Sequence, residues 1–127
     1  MKPATAKAKG RMVEQALVAY LRDHGYPYAE RRRLSGAHDR GDIAGVPGVV
    51  IEVKSAAEWK PVQWCRELVT EMHNDGAAAG FVAARPKATP DPEQWIALLP
   101  LPLVLELLRA AGHAAPTEPP HEGDPPR

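Results

Sequence analysis

The chain has 127 residues, 44% of them hydrophobic and 25% charged, with 16 Lys+Arg balancing 16 Asp+Glu. That length and balance fit one soluble globular domain able to bury an ordinary core. The single cysteine, Cys65, excludes an internal disulfide and fits a reducing compartment, and no stretch approaches ~18 apolar residues, so the reading is cytoplasmic, with neither export nor membrane insertion.

Residues 1 to 6 read as a flexible arm. Val13, Ala16, Leu17, Tyr20 and Leu21 then recur at helical spacing and predict a helix from about Lys7 to His24, stopped by Gly25. Glu14 falls one position off that stripe, on a face with Arg11 and Val18. It reads either as a surface acid paired with a nearby base or as a carboxylate turned toward a site. Tyr26 to Leu34 is predicted as a strand, and its three consecutive arginines, Arg31, Arg32 and Arg33, fit two roles: charge guarding an edge from pairing, or a clamp on a phosphate backbone. Ser35 to Arg40 is a small polar loop that delivers the chain to Asp42.

The most informative stretch runs from Gly41 to Lys54. Val49 to Val53 is apolar and β-branched enough for a central strand, yet Glu52 and Lys54 share one of its sides, ~7 Å apart by the rise per residue. A three-residue loop of Val46, Pro47 and Gly48, with Gly48 left-handed, pairs Ala44 with Val50 and puts Asp42 opposite Glu52. A two-residue loop at Val46 and Pro47 would set Asp42 opposite Ile51 instead, so the reading rests on register. Two facing carboxylates repel; the Lys54 ammonium relieves part of that, and a divalent cation would relieve the rest. Oxygen ligands of this kind suit Mg²⁺, with Mn²⁺ able to substitute, and point to hydrolysis of a phosphodiester, Lys54 orienting the water or stabilising developing charge.

Pro61 opens a second helix, to about Asn74, with Trp64, Leu68 and Met72 on one face and Cys65 and Val69 alongside. Gln63 and Glu67, four apart, read either as ordinary surface positions or as polar groups turned toward the hairpin, and Trp59 and Trp64 as core or interface residues and not base-stacking groups. Gly80 to Ala84 is a short buried strand, the Pro-rich stretch to Glu93 a loop, Trp95 to Leu99 a strand, and Pro102 to Ala111 a last helix closed by Gly112. From His113 to Arg127 the Pro-rich composition cannot build a core and is expected to be disordered. The order of helix, strand, hairpin, helix, strand, strand, helix predicts an α/β fold, a small mixed sheet flanked by helices. The zero net charge hides an asymmetry: residues 1 to 60 hold 11 Lys+Arg against 7 Asp+Glu, residues 61 to 127 only 5 against 9. The basic half is the half with the hairpin, which suits a phosphate-bearing partner, although a mixed solvated surface explains it equally.

Asp42 followed across a hairpin by Glu52-Val53-Lys54 resembles the PD-(D/E)XK nuclease superfamily, whose signature is an Asp on one strand and Glu-x-Lys on the next; Gly41 stands where the name has Pro. Lys9-Gly10-Arg11 with Glu14, and Arg31-Arg32-Arg33 ahead of Ser35-Gly36, are similar to archaeal-type Holliday junction resolvases. The resemblance covers about residues 7 to 85. It implies a restriction-endonuclease-like core over residues 7 to 112 and a Mg²⁺-dependent endonuclease, a homodimer cutting branched DNA at a four-way junction. It further implies that Glu14, Asp42, Glu52 and the Val53 carbonyl ligate the metal and that Lys54 assists the nucleophile. Ser35 would lie near the scissile strand, and Arg11, Arg31, Arg32 and Arg33 on phosphates. A flap, nicking or restriction-type nuclease on the same core and a catalytically silent DNA-binding subunit stay open.

Overall fold

Successive side chains of a strand point to opposite sides, so a strand whose neighbours Val50 and Ile51 are both fully buried must be covered on both faces. The structure, a computed structural model, describes residues 6–32 and 41–114, with side chains from Ala8 onward. It places that strand, β3 (Val49–Lys54), at the centre of an open sheet of five. In chain order the elements are α1 (Ala6–Asp23), β1 (Glu30–Arg31), β2 (Ile43–Ala44), β3, α2 (Pro61–Asp75), β4 (Ala79–Ala84), β5 (Ile96–Leu98) and α3 (Leu101–Ala110). Neighbours in space follow the order β1-β2-β3-β4-β5. Only β3 and β4 run parallel, joined by α2, so the sheet is mixed and the fold is α/β as expected.

The two helices take opposite faces. Leu17, Val18 and Leu21 of α1 pack with Ala29, Ile43, Val46, Ile51 and Ala83. Trp64 and Leu68 of α2 pack with Val50, Val82 and Ala84, and Trp59 tilts against Trp64 with ring centroids 5.9 Å apart. The alternation of β3 therefore assigns Ile51 and Val53 to the α1 side, and Val50, Glu52 and Lys54 to the α2 side. Gly80 lets α2 settle onto the sheet: a Cβ there would come within 2.9 Å of the Val50 carbonyl oxygen and 3.1 Å of both Leu68 and Met72. α2 begins on Pro61, whose missing N–H costs nothing in a first turn, and ends on Gly76 at φ 65°, whose N–H turns back to the carbonyls of Met72 and His73.

Three expectations need correction. Over its described residues, 26–32, the predicted strand from Tyr26 to Leu34 is confined to Glu30–Arg31, because the chain leaves α1 through a turn in which Ala29 N–H bonds the Tyr26 carbonyl and Arg22 Nε holds the Ala29 carbonyl at 2.8 Å; Arg33 and Leu34 lie outside the described residues. The Pro-rich stretch is not wholly irregular: Asp91 caps a 3₁₀ turn at Pro92–Gln94, to which the Tyr20 hydroxyl of α1 is tied through Glu93 at 2.7 Å. Val69, expected beside the apolar face of α2, is half exposed. The expected tail lies almost entirely outside the described residues, as does the arm through residue 5. No described helix is long and apolar enough to cross a membrane.

Candidate functional site

Asp42 reaches β3 through Gly41, which sits at φ 94° with its Cα so close to the strand that a Cβ would fall 2.9 Å from Val50 and 3.0 Å from the Ile51 carbonyl oxygen. That position admits glycine and little else. The ladder pairs Ile43 with Ile51, the register of the three-residue loop, so Asp42 comes to the rung of Glu52. There the regular pattern gives way. Asp42 N–H donates to the Ile51 carbonyl at 2.9 Å, and its Oδ2 accepts the Val53 N–H at 2.7 Å. Asp42 is thus clipped to β3 on both sides of Glu52, its carboxylate taking over a backbone hydrogen bond. Arg32 N–H donates to the Asp42 carbonyl at 2.8 Å, fastening β1 to the same point.

Glu52 is 7% exposed, and its Oε1 lies 3.6 Å from Lys54 Nζ. On the far side of the ammonium, Glu67 of α2 accepts from Nζ at 3.0 Å through Oε2, and its Oε1 accepts from Gln63 Nε2 at 3.1 Å. Burial disfavours a charged lysine, but the Glu67 hydrogen bond and the charges of Glu52, Glu67 and Asp42 outweigh it and hold the Lys54 pKa above its usual value. Lys54 is therefore a fixed ammonium at neutral pH: it can donate hydrogen bonds and stabilise negative charge, and it cannot take a proton from water.

Gln63 is exposed and the Glu67 side chain 38% exposed, as surface positions are, yet Glu67 also turns to the hairpin through Lys54, the alternative that the sequence left open. The signal lay in their spacing. Four residues apart, they share one face of α2, and Glu67 lies one turn from the buried Trp64 and Glu71, close to the face that α2 turns to the sheet.

Beyond Lys54 the sheet opens into a cavity of about 1070 Å³ between α1, the loop after β3 and the start of α2. Glu14, Val53, Lys54, Gln63 and Glu67 line it, with Lys9, Lys60 and Arg85 supplying further positive charge. Asp42 and Glu52 are not among the lining residues described. Glu14 is half-buried, but its Oε2 takes a 2.8 Å ion pair with Arg31 Nε. Among the described residues no group of three or more His, Cys, Asp and Glu side chains is placed to hold a metal ion. The structure thus brings Asp42, Val53, Glu52 and Lys54 together, sets Glu14 on the same cavity as Lys54, and ties Arg31 to Glu14. Arg11 is exposed on α1. Arg33 and Ser35 lie outside the described residues. Cys65 has its pKa raised by burial, which makes it a poor nucleophile.

Compared with known proteins, the chain matches no family model, no curated protein and no solved structure.

Proposed function

We propose that this protein is a metal-dependent endonuclease of the PD-(D/E)XK kind, on a restriction-endonuclease-like core, acting on branched DNA in the manner of a Holliday junction resolvase. One observation carries the reading: Asp42 is clipped to β3 on either side of Glu52 while Lys54, one alternation further on, is kept as an ammonium between Glu52 and Glu67. Two carboxylates and a backbone carbonyl form a donor set of hard oxygens, and Mg²⁺ is commonly held by only one or two protein carboxylates with water completing its shell. Asp42, Glu52 and the Val53 carbonyl fit that requirement. Glu14 joins them only after leaving Arg31. A bound Mg²⁺ would supply Lewis acidity toward a phosphate and lower the pKa of a water.

The chain's own part is then as follows. Asp42 and Glu52 place negative charge at one rung, Lys54 donates to the attacking water or to the charge that develops on the phosphate, and Glu67 and Gln63 hold Lys54 in position. Lys9, Lys60 and Arg85 around the cavity offer contacts to a phosphate backbone, alongside Arg11 and the arginines of the β1 segment. A second reading, a DNA-binding subunit without catalysis, is favoured by two facts: Glu14 and Arg31 neutralise each other, and among the described residues no group of three His, Cys, Asp or Glu side chains converges on a metal position.

The test is cleavage of labelled four-way junction, flap and linear duplex by purified protein, with Mg²⁺ or with chelator, wild type against Asp42→Asn. The asparagine oxygen still accepts the Val53 N–H, so the ladder clip survives and only the charge is removed. Paired symmetric nicks on the junction, lost in Asp42→Asn with junction binding retained, are expected. Equal cutting of all three substrates would keep a nuclease and discard junction selectivity. Undiminished cutting by Asp42→Asn would sink the site, and tight junction binding without any Mg²⁺- or Mn²⁺-dependent cutting would establish the second reading.

A further inference from the structure

One phosphate and an attacking water would fill only a small part of the cavity beyond Lys54. Its volume of about 1070 Å³ is that of a sphere roughly 13 Å across, about the width of a single major groove, so a double helix cannot enter it. An extruded nucleotide can, since sites of roughly 300–1,000 Å³ enclose ligands of that order of size. The parallel pair β3 and β4 ends there, at Lys54 and just before Arg85, and open α/β sheets bind ligands outside the carboxyl ends of their strands. The cavity also meets both carboxylates of the proposed site, because Val53, in its wall, gives its N–H to Asp42 and Lys54 lies 3.6 Å from Glu52.

The lining divides as a nucleotide does. Glu14 is matched by Arg31 and Lys54 by Glu67, so the charge left on the wall is that of Lys9, Lys60 and Arg85 against Glu58. Among the described residues those three cations form no ion pair, and Arg85 is fixed beside β3 by its N–H bond to the Lys54 carbonyl at 2.8 Å. Met12, Val13 and Ala16 continue from Lys9 along one face of α1 at helical spacing, and Met12 is 64% exposed. The cavity thus offers positive charge to a phosphate and adaptable apolar surface to a base. We propose that it holds one unpaired nucleotide of the DNA strand to be cut, the base on the apolar face of α1 and the phosphates on Lys60 and Arg85. The identity of the ligand as a DNA strand rests on the nuclease reading. Extruding a stacked base is costly, and least so where pairing is already broken, so such a pocket favours a branch point over continuous duplex.

The experiment is fluorescence anisotropy of labelled DNA with the full chain in chelator, where nothing is cut, and circular dichroism to verify that each variant folds. The probes are a short thymidylate strand and the same strand with every base removed. The thymidylate strand is expected to bind about tenfold tighter than the abasic one. Met12→Ser, at an exposed position, is expected to erase most of that difference and to leave the abasic strand unaffected. Lys60→Gln with Arg85→Gln is expected to weaken both strands alike and to flatten their salt dependence. Equal binding of the two strands overturns the proposal, as does a base preference indifferent to Met12→Ser. Thymidine monophosphate competing at the concentration at which the strand itself binds assigns the cavity to a free nucleotide and overturns the strand. A base preference without cleavage of any substrate would end the nuclease reading and leave the pocket standing, whereas metal-dependent cleavage without a base preference would do the reverse.

Discussion

The two faces of the sheet solve different problems with the same central strand. On the α1 side the enclosed residues are apolar throughout, from Leu17 and Leu21 to Ile43 and Ile51, and the ion pair of Glu14 with Arg31 stands at the rim. On the α2 side an apolar patch of Val50, Leu68, Val82 and Ala84 borders a buried carboxylate on β3, Glu52 at 7% exposure. Burying a carboxylate is costly unless positive charge or hydrogen bonds compensate it. A strand made only for stability would place Ile or Val at position 52 as it does at 51. The α2 face therefore gives up stability to keep charge at one end, and that end is the one Asp42 is clipped to. The contrast separates an apolar scaffold side from a charged side.

The largest effects come from the part the two faces share. Ile51 and Leu68 are both fully buried, one on each side. Ile51→Ala and Leu68→Ala are each expected to cost about 2–5 kcal/mol of unfolding free energy, measured by urea denaturation. If Leu68→Ala costs much less than Ile51→Ala, the α2 face is not a packed core at all, and the charged end is merely a loosely covered surface.

A middle-sized effect concerns Lys54. Its pKa is raised in the folded protein, so its pairing stabilises the fold fully below the usual lysine value of about 10.4 and is lost as pH rises through the higher folded value. Glu67→Gln removes the hydrogen-bonding anion while keeping its shape. The alkaline limb of the stability curve is expected to begin at lower pH in this variant. Because Glu67 is itself more than a third exposed, the loss near neutral pH is expected to stay under about 1 kcal/mol. An unmoved alkaline limb would show that Glu52 and Asp42 hold the ammonium without Glu67 and that α2 contributes no positioning.

How much of this was legible in advance depends on whether the signal was local. The register of β2 and β3 was, because a Val-Pro-Gly loop leaves few pairings and the parity of Glu52 and Lys54 follows from alternation. The helices α1 and α2 were as well, by their apolar spacing and by Gly25, Pro61 and Gly76. The clip from Asp42 to Val53 was not: it replaces a ladder hydrogen bond with a side chain, and nothing in a hydrophobic pattern announces that. Glu67 was legible only as one of two alternatives, for a related reason. A lone acid on a helix looks solvated until the crossover from β3 to β4 brings that helix across the strand, and the parallel pairing of β3 with β4 is a long-range fact. The first part of the predicted strand, from Tyr26 to Ala29, was lost because the turn after α1 already uses the backbone of Tyr26 and Ala29.

The smallest expected effect is the sharpest for function. Glu14 and Arg31 meet at 2.8 Å, but their side chains are 20% and 39% exposed, so water and salt screen the pair. A double-mutant cycle with Glu14→Gln and Arg31→Met is expected to give a coupling of at most about 1 kcal/mol, shrinking further in high salt. A coupling that weak means Glu14 exchanges Arg31 for another cation at little cost, which is what a helix carboxylate lining the cavity beside Lys54 must do if it is to complete a metal site. A coupling of several kcal/mol, insensitive to salt, would instead make the pair a structural fastening between α1 and β1. It would then extend buried charge to the scaffold side of the sheet and leave Asp42 and Glu52 as the only carboxylates for the proposed chemistry.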